Sequence, residues 1–185
     1  RSPAAAYVGR GAGAVSSGLT GLVGPGTMPP ICQGRPCPTL GECWRAGTAT
    51  LMILGDICTR SCRFCAVTTG RPLPPDPDEP MRVARAVREM NLRHAVITSV
   101  DRDDLPDGGA SPWAEPTRAV HATPPGTTIE ALVPEFQCCR DDLRTLLSAH
   151  PAVPSHNTAT VRRRTPQPPP HAPCGRTLEA RTAHA

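Results

Sequence analysis

Short apolar runs alternate with amphipathic segments along the middle of the chain. Residues 50–54 (TLMIL), closed by Gly55, have the length and apolar character of a buried strand. Residues 94–100 and 127–133 are further runs of this kind, rich in β-branched side chains. A short segment at 152–157 is predicted as a fourth strand. Because each run is bounded by turn residues or by polar sequence, we expect separate strands of one sheet.

The segments between these strands carry helical signals. Asp78-Glu79-Pro80 places acids and a proline where helices begin, and Val83, Ala84, Val87 and Met90 follow as one apolar stripe. A second helix is predicted at about 112–121, and a third at 140–149 with inward-facing Leu143, Leu146 and Leu147. Alternation of strand and helix with short links predicts an α/β fold with a parallel sheet. About four strand–helix steps are visible, fewer than a complete barrel needs.

The ends of the chain lack such patterns. Residues 1–30 are rich in Gly, Ala and Ser and contain no acid, so a disordered segment is predicted, with an acid-poor organelle transit peptide as the alternative. The proline- and arginine-rich residues 158–185 are likewise predicted to be disordered. We therefore divide the chain into 1–30, 31–56, 57–157 and 158–185. Because the chain does not begin with Met, we expect a fragment.

Composition limits the classes of function that the chain can have. All 20 basic residues are arginine, and the net charge of +4 is mild and scattered, which does not indicate a nucleic-acid partner. No apolar run approaches the ~20 residues of a membrane span. The chain has nine cysteines, and this odd number, with six of them packed between 32 and 65, favours metal ligation over disulfides. Such usage implies a reducing compartment, and we expect a cytoplasmic location.

Three cysteines follow the first predicted strand. Cys58, Cys62 and Cys65 are spaced by three and two residues, on the loop that leaves the strand's carboxyl end. Cofactors of α/β proteins collect at such ends. Three thiolates suit a four-iron cluster with one iron left open, whereas a structural zinc site usually takes four ligands in two pairs. The spacing favours the cluster, and zinc remains the alternative.

A second triad, Cys32, Cys37 and Cys43, precedes the same strand with spacings of four and five residues. Pro36 and Pro38 flank the middle cysteine and stiffen its loop. Two triads around one strand strengthen the case for metal, because six clustered cysteines without a metal would otherwise need another explanation.

The first triad, with Phe64 before its last cysteine, resembles the radical S-adenosylmethionine (SAM) signature. The second triad, followed by Trp44 and by GTAT at 47–50, resembles the lipoyl synthase family of that superfamily. The stretches ITSVDRDDL at 97–105, GGA at 108–110, IEALVP at 129–134 and HN at 156–157 are similar to the same family. The resemblance covers about 31–157 and implies a partial radical-SAM-type (βα) barrel.

The resemblance implies a sulfurtransferase with two [4Fe–4S] clusters and SAM as cofactors. Cys58, Cys62 and Cys65 would hold the cluster whose open iron binds SAM and whose electron cleaves it to a 5′-deoxyadenosyl radical. The auxiliary cluster on Cys32, Cys37 and Cys43 would donate sulfur to C6 and C8 of a protein-bound octanoyl group. Implied partners are octanoylated lipoyl-carrier domains, such as the glycine cleavage H protein and the E2 subunits of 2-oxoacid dehydrogenases, and an electron donor such as ferredoxin or flavodoxin. Neither nucleic acid nor a membrane is implied.

Four further residues are candidates for SAM contacts: Phe64, Ser99, Glu130 and Asn157. The alternative for the last three is a structural hydrogen bond in a turn or cap. The acids Asp101, Asp103 and Asp104 are predicted to order the site loop, with Arg102 as an internal partner, and the alternative is that they are solvated. Apart from the cluster ligands, no catalytic residue is predicted.

Two environments are also predicted from the resemblance. His156 is expected beside the site rather than on a metal. Trp44 is expected to pack over the auxiliary cluster.

The chain departs from the family at its C-terminal end. No Arg-Ser-Ser-Tyr-His-like motif, whose serine is the family's fourth ligand to the auxiliary cluster, occurs in the 185 residues. We therefore expected an incomplete copy of the enzyme. An inactive iron–sulfur or zinc-binding module is the alternative function. Cys138, Cys139 and Cys174 are interpreted as incidental free thiols.

Overall fold

A computed structural model describes residues 39–62, 65–123, 126–134 and 136–157 of the chain. The two terminal segments predicted to be disordered lie outside these ranges, as do Cys32, Cys37 and Phe64. The proposed division into four segments therefore stays a prediction. Within the described part of the chain, no helix has the length and apolar character needed to cross a membrane.

Four parallel strands form the main sheet. Their bounds are Thr48–Ile53 (β1), His94–Ser99 (β4), Thr128–Val133 (β5) and Val153–His156 (β6). The order follows the chain, and the register pairs Thr48 with His94, and His94 with Thr128. The predicted α/β fold with a parallel sheet is confirmed, and all four predicted strands are present.

A small second sheet was not predicted. Strand β2 (Ile57–Cys58) pairs in parallel with β3 (Thr68–Thr69), so that the two ends of the cysteine loop are joined by backbone hydrogen bonds. Two-residue strands are too short to give a periodic signal, because alternation can be recognised only over about four residues or more.

The helices follow the strands as predicted, with one addition. Helix α1 (Leu40–Arg45) precedes β1, and its six residues are too few to show helical periodicity. Helix α2 is Glu79–Glu89, α3 is Ala110–His121 and α4 is Arg140–Leu147, with a 3-10 turn at Phe136–Cys138 before α4. The start of α3 lies earlier than predicted, because its first proline falls in the first turn, where a missing N–H costs nothing.

The core lies between the sheet and α2, α3 and α4. In β1, β4 and β5, alternate residues are buried against the helices, whereas the intervening ones are half-buried on the opposite face. The predicted helical stripe is buried at Val83, Ala84 and Val87, and Met90 caps α2 at the edge of the core. One face of the sheet is therefore buried and the other is more open, because successive side chains of a strand point to opposite faces.

Candidate functional site

Strand β1 ends in a backbone kink that the rest of the site depends on. Leu54 and Gly55 both have left-handed conformations, with φ of 67° and 90°. The Leu54 N–H donates to both carboxylate oxygens of Glu79, at 3.1 and 2.9 Å. Burial raises the pKa of Glu79, although the N–H groups of Leu54 and Gly55 lower it in part. A buried carboxylate at the start of α2 thus fixes where the chain turns into the cysteine loop.

A buried arginine supports the same kink from the next loop. The Arg102 side chain is 1% exposed and makes a bidentate pair with Asp104, with both N–O distances 2.8 Å. Its Nη1 also approaches the Leu54 carbonyl oxygen at 3.5 Å. Hydrogen bonding to Arg102 lowers the pKa of Asp104. The prediction that Arg102 is an internal partner for the acidic loop is confirmed.

Gly109 is required behind this kink. Its φ is 89°, and a Cβ at this position would lie 3.0 Å from the Leu54 Cδ1 and 3.5 Å from the Arg102 Cβ. A side chain at this position would therefore require an unfavourable backbone conformation and would also crowd the residues packed at the kink.

Cys58, the first cysteine of the loop, is held tightly. It is buried, and its Sγ accepts N–H groups from Arg60 and Asp101, both at 3.4 Å. Its carbonyl oxygen accepts the N–H of Gly70 across the small sheet. Burial raises the pKa of the Cys58 thiol, the nearby charges of Asp101 and Cys65 add to the rise, and the two N–H groups oppose it.

Cys62 and Cys65 are progressively more open, being half-buried and exposed. The Cys65 N–H donates to the Cys62 carbonyl oxygen at 2.9 Å and closes a turn between them. Burial raises the pKa of the Cys62 thiol, and negative charge on Asp101, Cys58 and Cys65 adds to this. The three thiols therefore lie near enough for charge on one to be felt by another.

The described side chains do not form a complete set of metal ligands. Within the described residues, no group of three or more Cys, His, Asp or Glu side chains is positioned to hold a metal ion. The donor set still suits an iron–sulfur cluster, because three thiols share one loop at the carboxyl end of β1. Cys58 is held in place, and the more open Cys62 and Cys65 would complete the donor set, with loss of the thiol protons on binding.

Sequence analysis missed the partner of the cysteine loop. Arg60 lies between Cys58 and Cys62, its side chain is 6% exposed, and it makes a bidentate pair with Asp103 and a 3.3 Å contact with Asp101. An arginine inside the triad and three acids after a strand were visible signals, but the separation of 43 positions between Arg60 and Asp103 hides their pairing.

Of the second triad, only Cys43 lies within the residues that the structure describes. It lies on α1, is half-buried, and its Sγ is 3.8 Å from the Thr39 hydroxyl. Trp44 beside it is buried in the core, and its Nε1 has no hydrogen-bond partner among the described residues. The auxiliary site and the expected packing of Trp44 over its cluster stay predictions.

The candidate SAM contacts fall in different environments. Ser99 accepts a 2.8 Å hydrogen bond from the buried Trp113 indole. Glu130 lies on the half-buried face of β5, where the Ser155 hydroxyl donates to it at 2.8 Å and the His94 Nε2 is 3.5 Å away. Asn157 is exposed just after β6. Ser99 and Glu130 thus both have structural partners, and Glu130 lies on the more open face of the sheet. Their contacts with SAM stay predictions.

His156 makes a 2.6 Å contact through Nδ1 with the Val133 carbonyl oxygen. This contact ties the ends of β5 and β6 together, and the expected place of His156 beside the site stays a prediction.

Comparison with known proteins agrees with this geometry. The model of the radical SAM superfamily matches residues 52–177, which include the cysteine loop and the helices α2, α3 and α4. The chain therefore belongs to the radical SAM superfamily, and that membership implies SAM and a [4Fe–4S] cluster as cofactors.

Curated relatives place the chain more closely. It is 52% identical over 161 residues to the lipoyl synthase of Flavobacterium johnsoniae, covering 87% of this chain and 56% of the relative. It is 57% identical over 137 residues to that of Parabacteroides distasonis, covering 74% and 49%. It is 52% identical over 147 residues to the mitochondrial lipoyl synthase of Nematostella vectensis, covering 80% and 50%. Within the superfamily, the chain falls in the lipoyl synthase family, as its motifs indicated. It spans about half the length of the curated relatives it matches.

Proposed function

We propose that this protein is a sulfurtransferase that inserts two sulfur atoms, at C6 and C8, into a protein-bound octanoyl group to form the lipoyl group. The observation that carries the proposal is the three-thiol loop at the carboxyl end of β1, in a chain 52–57% identical to lipoyl synthases. The thiols supply the donor set, and the identity supplies the reaction.

Cys58, Cys62 and Cys65 are the proposed ligands of the first [4Fe–4S] cluster. When bound, this cluster and SAM supply the one-electron chemistry that opens an unactivated C–H bond. The contribution of the chain is geometric: Glu79 and Arg102 hold the kink at Leu54, and the loop that follows is thereby presented at the strand ends. Such supporting contacts keep ligands within the tolerance that a reactive site needs.

Cys32, Cys37 and Cys43 are the proposed ligands of the auxiliary cluster that donates sulfur. Their support is the resemblance of their spacing to the family, together with the free, half-buried thiol of Cys43. Phe64, Ser99, Glu130 and Asn157 remain the candidate SAM contacts. Of these, Glu130 is the best supported, because a carboxylate on the more open face of the sheet can accept a hydrogen bond from a polar ligand.

The proposed partners are octanoylated lipoyl-carrier domains, from the glycine cleavage H protein or the E2 subunits of 2-oxoacid dehydrogenases, with ferredoxin or flavodoxin as the electron donor. The relatives' names support the carrier substrates, since a lipoyl synthase must act where lipoyl groups are carried. A cytoplasmic location is proposed from the largely bacterial relatives.

Anaerobic reconstitution with iron and sulfide tests the cluster. We expect a brown protein with broad absorbance near ~400 nm, and an electron paramagnetic resonance spectrum of the reduced cluster that changes when SAM is added. Cys58→Ala should remove the iron of this cluster. Cys139→Ala is the matched control, because Cys139 is an exposed thiol outside both triads. A colourless protein that holds stoichiometric zinc would overturn the proposal.

A further inference from the structure

The cysteine loop contains a buried cation. Arg60 is 7% exposed as a residue, although it lies on a loop and between two thiols. Its Nε and Nη2 each lie 2.6 Å from one oxygen of Asp103, and its Nη1 lies 3.3 Å from Asp101. A bidentate guanidinium–carboxylate pair fixes both distance and orientation, which a single point contact does not.

Backbone hydrogen bonds reinforce the same connection. The Thr59 N–H and hydroxyl both donate to the Asp101 carbonyl oxygen, at 3.1 and 2.9 Å. The Asp103 N–H donates back to the Thr59 hydroxyl at 3.1 Å. The Asp101 N–H reaches the Cys58 Sγ. The loop after β4 therefore contacts the cysteine loop at three consecutive residues, 58–60.

A third loop meets the same carboxylate. Gln137, in the turn after β5, lies with its Nε2 3.3 Å from the Asp103 oxygen that Arg60 Nη2 also contacts. Phe136 and Gln137 both have positive φ, of 45° and 52°, which is strained for residues with side chains. Asp103 thus joins the loops that follow β1, β4 and β5, and we call Arg60, Asp101, Asp103 and Gln137 the Asp103 junction.

The charges of the junction indicate its role. Two carboxylates flank the single guanidinium, so the group as a whole carries no excess positive charge that could attract an anionic cluster or substrate. Its geometry, in contrast, is fully specified. The Asp103 junction is therefore suited to holding a loop in place.

We propose that the Arg60–Asp103 pair is a positioning device, which holds Cys58 in one fixed position before a cluster is bound. The proposal rests on the proposed function in one respect, namely that Cys58 is a cluster ligand. Cys58 would then be the fixed ligand, and the more open Cys62 and Cys65 would complete the donor set of the cluster. The role proposed for Arg60 is exerted through the loop, by way of its contacts with Asp103 and Asp101.

The test is the alkylation of each cysteine by iodoacetamide in the metal-free protein, followed by peptide mass spectrometry. Arg60→Met should accelerate alkylation of Cys58 by about tenfold, because charge-assisted hydrogen bonds no longer oppose local opening. Arg60→Lys should give an intermediate rate, since lysine keeps the charge but not the bidentate contact. Arg85→Met, in an exposed pair with Glu89 on α2, is the matched control and should leave the rate unchanged.

The sign of the effect separates positioning from charge. The positive charge of Arg60 lowers the pKa of the neighbouring Cys62 thiol. Removing that charge would by itself reduce the thiolate fraction of Cys62 and slow its alkylation. Acceleration at Cys58, with Cys62 unchanged or slower, supports positioning. An unchanged or slower rate at Cys58 would overturn it.

Two further measurements complete the test. If circular dichroism shows that Arg60→Met does not fold, Asp103→Asn decides, because it weakens the same pair while keeping its shape. Reconstitution of the unaltered chain is assayed separately. If Arg60→Met accelerates Cys58 alkylation but the unaltered chain takes up no iron, the proposed function is refuted, while the effect of the pair on the position of Cys58 stands. If the unaltered chain takes up iron normally but Arg60→Met leaves Cys58 alkylation unchanged, only the positioning role is refuted.

Discussion

Glu79→Ala is expected to weaken the structure at the exit of β1. The carboxylate is buried at the first residue of α2 and accepts the Leu54 N–H through both of its oxygens. Its removal would leave that N–H without this acceptor at a residue whose φ of 67° is already unfavourable. The kink from which the cysteine loop departs would therefore lose its main side-chain support.

The magnitude follows from counting donors. The Leu54 N–H, shared between two oxygens, counts as a single hydrogen bond to a charged group, which contributes about 1.5–3 kcal/mol, and the Gly55 N–H adds a weaker attraction. We therefore expect Glu79→Ala to lower the free energy of unfolding by about 2 kcal/mol. Glu79→Gln keeps an acceptor oxygen and removes the burial of charge, so it should cost less than about 1 kcal/mol.

Urea denaturation followed by circular dichroism measures the difference. With a slope near ~2 kcal/mol/M, typical of a small domain, the Glu79→Ala midpoint should fall by about 1 M. Glu115→Ala, at an exposed position on α3, is the control and should stay close to the unaltered chain. A Glu79→Ala midpoint equal to that of the control would refute the argument that this carboxylate holds the kink.

The remaining predictions concern the layers around the site. Trp113→Phe removes the 2.8 Å hydrogen bond to Ser99 and part of a fully buried ring, so we expect a loss of about 2 kcal/mol by urea denaturation. Leu51→Ala, at a position with no exposed surface, should cost about 2–5 kcal/mol, and a smaller loss would show that the core relaxes around the cavity. Asp107 caps α3 by accepting the N–H groups of Gly109 and Ser111. Burial favours a higher pKa for this carboxyl, but these hydrogen bonds outweigh it and hold the pKa below its ordinary value. Its stabilisation is therefore present above about pH 4 and is lost as the pH falls through the lowered pKa. In Asp107→Ala this part of the acid-induced loss of stability should be absent, and an unchanged pH profile would contradict the assignment.

The strands were predictable because their signal is local. Buried strands such as β4 and β5 show apolar runs between turn residues, and alternation then decides which face is covered. The strand β1 begins two residues before the predicted run, at Thr48, because pairing with His94 rather than hydrophobicity sets its start. Leu54 looked like part of the strand, but its left-handed conformation ends it.

The candidate site was predictable only in part. Cysteine spacing identified Cys58, Cys62 and Cys65 without any knowledge of the fold. The partners of this loop could not be found in the same way, because Arg60 and Asp103 are 43 residues apart and Asp101 and Asp104 were equally available by sequence. Glu79 looked like a helix-start acid, and it is also the acceptor for Leu54, a contact that depends on tertiary packing.

Formation of 5′-deoxyadenosine from SAM tests most directly whether the Cys58 triad is the site of radical SAM chemistry. The assay uses the anaerobically reconstituted chain, a strong reductant and two triple variants. Replacing Cys58, Cys62 and Cys65 by alanine should abolish the product, whereas replacing Cys32, Cys37 and Cys43 should preserve it. The result that would contradict the account is equal loss of 5′-deoxyadenosine in both variants, with the second still folded and still loaded with its remaining cluster.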